Sequence, residues 1–214
     1  MFKNKAIIFL SCLALLLSAK QLIAEAEEKN KELQWGILPI ALPFYMPETN
    51  WGLGYSILYF YKEKNQEIKK PNEVSLYGAI TLNKQFSIGL SADMFLLGDY
   101  LKTNSAIEYS YFPDYFWGVG DNTQENGKEK FTEKTYHFRG SLLAKILPNL
   151  YAGPHYKLLF DQVPDKTADG ILSSSQIRGS DGTVISGPGL EANYDSRDNG
   201  FYPTKGLYMN FRGY

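Results

Sequence analysis

Cysteine, histidine, net charge and long apolar runs are all scarce in this sequence. There is one cysteine, Cys12, so no disulfide framework can form within the chain. The formal net charge is −1, without the basic excess that a general nucleic-acid binder needs. Only one long apolar run exists, near the start, and the mean hydropathy is −0.29. Those two facts exclude a protein built from many membrane-spanning helices. They do not exclude a membrane barrel, whose strands hide their apolar half by alternation. With only two histidines, His137 and His155, a histidine-rich metal centre is out of reach. What is abundant is aromatic: 15% of the chain, with 16 Tyr and 13 Phe. Tyrosine collects where one end of the ring is apolar and the other wet, as at a membrane interface.

The start reads as a targeting signal. Lys3 and Lys5 precede an apolar run from Ala6 to Leu17, and Ala24-Glu25-Ala26 supplies a small-x-small site. That is the grammar of a secretory signal peptide, with cleavage expected after Ala26. The run falls short of the roughly 20 residues that span a bilayer. Cys12 lies inside it, so the mature protein would carry no cysteine. Residues 27–50 are a short periplasmic lead-in or a first strand, in which Pro39 and Pro43 count against a ladder. Residues 51–214 form the body.

The body has a period of two. In "EVSLYGAITLNKQFSIGLSADMFLL", Val74, Leu76, Ile80, Phe86, Ile88 and Leu90 share one parity, and Ser75, Thr81, Ser87, Ser91 and Asp93 the other. Strict alternation marks strands with one greasy face. Pairing about Lys84 sets Leu82 against Phe86 and Ile80 against Ile88. A second hairpin, "KTYHFRGSLLAKIL" then "YAGPHYKLLFDQ", repeats the design. Further strands fit Gly52–Tyr61, Ser105–Phe112, Val184–Ser196 and Leu207–Tyr214, giving eight or nine in all. Runs of ten or more residues exceed the usual soluble strand of about 5–6 and match the roughly 9–11 of a membrane strand. Tight turns at Asn83 and Pro148, against long charged connections elsewhere, predict short turns on one side and long loops on the other. The expected class is all-β, an antiparallel transmembrane β-barrel.

Tyr194, Asp195, Arg197, Asp198, Tyr202, Pro203 and Gly206 stand in "YDSRDNGFYPTKG". This stretch resembles the Y-D-x-R-D-x-x-x-Y-P-x-x-G signature of the bacterial surface antigen family. That family is the barrel half of a superfamily of outer-membrane assembly and two-partner secretion translocons. "LPIALPFYMPETNWGLGYS", "YFPDYFWGVGDNT" and "GSDGTVISGPGLEANYDSRDN" are similar to a small subgroup of it. The resemblance implies a sixteen-stranded barrel, of which this chain looks like the N-terminal part. It also implies location in the bacterial outer membrane, contact with its lipid, and client outer-membrane or secreted polypeptides as partners. The POTRA modules that handle clients in that family have no room between Ala26 and Trp35. The family's lid motif, R-G-F/Y, shares its letters with Arg212-Gly213-Tyr214, but that stretch sits within a strand pattern.

No motif nominates an enzyme, a cofactor or a metal. Asp195, Arg197 and Asp198 lack a nucleophile–base partner, and "GSDGTVISGPG" lacks the form of a phosphate-cradling loop. Pairing about Asn149 sets His137 against Asp161 and His155 against Leu143, which predicts an interior His137–Asp161 pair beside Arg139 and Lys157. Three functions remain open at this point: assembly or translocation of polypeptides, a passive pore or surface-exposed barrel, and a soluble periplasmic β-protein.

Overall fold

The computed structural model describes residues 35–62, 71–120, 127–174, 177–200 and 202–214. The signal segment lies outside them. Among the described residues, alternation has become one antiparallel sheet of nine strands in chain order. These are β1 (Trp35–Met46), β2 (Asn50–Tyr61), β3 (Asn72–Thr81), β4 (Phe86–Leu96), β5 (Leu101–Phe116), β6 (Glu129–Leu147), β7 (Leu150–Lys166), β8 (Gly182–Asp195) and β9 (Tyr208–Gly213). The sheet is open, with β1 and β9 as its two edges; the closed ring of the expected barrel is not present.

Residues 35–46 form a full strand, not a lead-in. Its twelve residues pair without interruption to β2 despite Pro39 and Pro43. The two prolines share a parity on an edge strand, so both missing donors can face the side that has no partner.

Both predicted hairpin registers are off by two residues, while every face assignment survives. Ile80 pairs with Phe86, and Gly78 with Ile88. The turn is centred on Asn83: Thr81 donates to Gln85 O, Lys84 donates to Thr81 O, and Lys84 takes φ 64°. Leu82 leaves the hairpin and donates to Trp51 O at 2.8 Å. In β6–β7 the turn is Pro148–Asn149, with Asn149 at φ 64° and an irregularity between Lys145 and Leu147. A slip of two preserves parity, which is why the faces hold.

The expected sidedness is wrong. β4 and β5 are joined by a single 3-10 turn, Leu97–Asp99, and that unforeseen short link reverses the order of the ends. Each end of the sheet therefore carries two short connections and two long ones. One end holds 47–49, 82–85, 117–128 and 167–181; the other holds 62–71, 97–100, 148–149 and 196–207. At the first end β5–β6 pairing runs on from Tyr111 to Phe116, five residues or ~16 Å beyond the last β4 rung.

The sheet curls around its polar face. Phe95 on β4 meets Tyr151 on β7 with ring centroids 5.8 Å apart, and Lys102 on β5 donates to Asn193 on β8 at 3.2 Å. Each contact crosses three strand spacings, about 14 Å along the sheet, so the polar face is concave there. Leu143, fully buried, fills the hollow between them.

Candidate functional site

The register puts the charges of β3 to β9 on the concave face almost without exception. Tyr77 lies across Gly89 and donates to Glu108 at 3.0 Å. A Cβ at Gly89 would stand 2.6 Å from the tyrosine ring, so only glycine leaves room for that reach. Glu108 is opposite His137, and Arg139 is opposite Lys157.

The predicted His137–Asp161 pair is not formed. His137 faces Leu159 across the ladder, and Asp161 faces Thr135, which donates to it at 2.8 Å. The two-residue slip at the Pro148–Asn149 turn is the cause. Among the described residues, His137 Nε2 is buried with no hydrogen-bond partner. His155 faces Ser141, not Leu143.

The signature residues fall at the end of β8 and in the connection to β9. Tyr194 pairs with Met209 and Asp195 with Tyr208. Arg197 grips Asp195 by two bonds of 2.9 Å and stacks over Tyr208, 4.5 Å from the ring centre. Asp198 gathers the turn: it accepts from the Thr204 hydroxyl and from the backbone N–H of Asn199, Thr204 and Lys205. Tyr202 N–H donates to the Asn199 side chain at 3.1 Å. Pro203 precedes the clasped Thr204–Lys205 pair. Gly206 takes φ 100°, and a Cβ there would lie 2.3 Å from Ser196 O. The cluster is a clasp that shapes a connection, with its carboxylates already spoken for by donors.

The Thr204 hydroxyl and the Lys205 and Thr204 amides hold the Asp198 carboxyl down at about 2, from 3.8. A carboxylate depressed on folding adds stability above its ordinary range and loses it as pH falls through the depressed value. Amide-exchange protection at Thr204 and Lys205, normalised to intrinsic rates, should therefore be full above about pH 4 and fade toward pH 2. Asp198→Ala should lack that protection at neutral pH and show no such fade.

Sequence reasoning missed the most buried ionic cluster. Glu191 on β8 is 2% exposed at its side chain and accepts from Asn210 at 2.7 Å and from Arg212 at 3.2 Å. His155 on β7 stands 3.5 Å from the same carboxylate, and its Nε2 meets the Tyr214 hydroxyl at 3.2 Å. Arg212 thus keeps the alternation of β9, on the same face as Asn210. Arg212-Gly213 belongs to that strand, not to a loop. The parity of Glu191 was visible, but a connection running from 196 to 207 hides which β9 residue would oppose it.

The convex face is the other candidate surface. Leu53, Ile80, Leu90, Ile107, Phe138 and Leu190 are all exposed on it, each between 39% and 70%. Following the registers, no charged side chain stands on this face from β1 through β5, and on β6 its basic residues, Lys130 and Lys134, are confined to one end. No protein-family model matches the chain, and neither a curated protein nor a solved structure matches it.

Proposed function

We propose that this chain forms the wall of an outer-membrane β-barrel of the bacterial surface antigen type, exported by its signal segment at 1–26. The convex face meets lipid and the concave face is the interior. The observation that carries the reading is the continuous exposed apolar surface across all nine strands, backed by ion pairs on the opposite face. A water-soluble sheet would not leave an apolar face of that extent uncovered. A membrane barrel requires it, with polar residues turned inward.

The proposed role is assembly or translocation of outer-membrane or secreted polypeptides, and it rests on the likeness of Tyr194–Gly206 to the family signature. A passive pore is the second reading. The side chains of Phe95, Lys102, Leu143, Tyr151 and Asn193 bridge β4 to β8 and fill the hollow at one end, which argues against a wide channel along those strands.

The membrane reading predicts a protein extracted only by detergent, whose gel mobility changes on heating. Release by salt or alkali in soluble form would overturn it. The assembly role predicts that deleting the gene lowers the levels of other outer-membrane proteins. Normal levels in the deletion strain, together with single-channel conductance of the purified protein, would instead establish the pore.

A further inference from the structure

The convex face has a built feature that leads from mid-sheet toward the end where β5 and β6 extend past β4. A groove of about 420 Å³ is lined by Leu76, Ile88, Ile107, Tyr136, Phe138 and Phe160, within the roughly 300–1,000 Å³ of small-ligand sites. One pleat further along β6, about 7 Å away, stands Lys134, with its ammonium 6.0 Å from the Tyr111 ring centre. Beyond it Lys130 pairs with Tyr115, and Lys128 sits 5.0 Å over that same ring. Trp117 packs against Tyr115 at 6.3 Å.

None of the three lysines has a carboxylate partner among the described residues. Of the nearby carboxylates, Glu129, Glu133 and Asp161 are occupied or turned away, while Asp165 shares the lysines' face without pairing to them. Glu129 accepts from the Ile171 and Leu172 amides at 2.6 and 3.0 Å. Glu133 and Asp161 share the Thr135 hydroxyl on the other face. Asp165, opposite Thr132 past the irregularity in β6–β7, forms no ion pair with the lysines. An apolar groove thus leads into an aromatic rim capped by cations that have no ion-pair partner among the described residues, the order of chemistry met on going from acyl chain to interface to headgroup.

We infer that this is a binding site for an anionic lipid: its acyl chain lies in the groove and its anionic headgroup is attracted by the row of cations formed by Lys134, Lys130 and Lys128. The inference rests on the membrane reading above and adds a headgroup preference to it. Full-length mature protein and the K128Q/K130Q/K134Q variant are floated with two kinds of vesicle, pure phosphatidylcholine and phosphatidylcholine with one-third phosphatidylglycerol. Both proteins should float with neutral vesicles. Wild type should float more strongly with anionic ones, by on the order of fivefold per lysine, and the variant should lose most of that gain. Phosphatidylglycerol with a photoreactive acyl chain should label β4 to β6 in wild type and less in the variant. Equal anionic gain in both proteins, or none in either, overturns the site while leaving the membrane reading intact. Displacement by inorganic phosphate at matched ionic strength overturns the lipid as occupant in favour of the free anion. Failure to float with either vesicle sinks both readings together.

Discussion

Leu90→Lys should prevent stable membrane insertion, whereas Ser91→Lys, one residue further on, should insert normally. Leu90 is 48% exposed in the middle of β4, between Leu76 on β3 and Ile107 on β5. Ser91 is on the concave face, opposite Ser75 and Ala106. A lysine on the lipid face near the bilayer centre costs about 2–4 kcal/mol, and a lumenal one little. In water the prediction reverses. A half-exposed leucine changed to lysine is ordinarily worth less than about 0.5 kcal/mol, and it would raise solubility. Folding into vesicles, followed by heat-modifiable migration, reads the difference. Equal insertion of the two variants would show that the convex face does not meet lipid.

That contrast can be drawn because faces were legible in the sequence and registers were not. Alternation fixes the side of the residues in β3, β4 and the regular stretches of β6 and β7, since a strand has only two sides and the pattern chooses one. Register depends on the few residues of the turn. Lys84 at φ 64° closes a turn one residue earlier than symmetric folding about Lys84 would place it, and sequence gives no sign that a lysine adopts that conformation. The irregularity between Lys145 and Leu147 has the same effect on His137 and Asp161. Leu97–Asp99 is hard to read as a turn because its single Gly98-Asp99 signal follows directly on an apolar stretch. One hidden turn then misassigned the ends of every later loop.

The candidate clusters follow the same division. The clasp at Asp195–Gly206 was legible because it is local: the hydrogen-bond partners of Arg197 and Asp198 lie within seven residues. The Glu191 cluster joins three strands through contacts 19 to 59 residues apart. No short motif can announce it. The Phe95–Leu143–Tyr151 hollow is hidden for another reason. Its three apolar members sit at positions where alternation predicts polar side chains, and only the curl of the sheet gives them one another as partners.

Glu191→Leu should be the most destabilising single change on the concave face. The carboxylate is enclosed, Arg212 is about one-third exposed, and His155 is 1% exposed at its side chain. Breaking a fully buried ion pair by removing one partner costs about 3–5 kcal/mol. Arg212 can recover part of its hydration, which lowers the expected loss to about 2–3 kcal/mol. Asn210 loses its acceptor as well. The damage should concentrate at β9, whose one ladder partner among the described residues is β8. Replacing both partners, in Glu191→Leu with Arg212→Met, removes the uncompensated charge and should restore most of the stability. Urea unfolding in detergent micelles of the wild type, both single variants and the double variant closes the cycle. Proteolysis within 196–207 reports on β9 separately. A double variant as unstable as Glu191→Leu would mean that packing around the carboxylate, and not its charge, holds β9 in place.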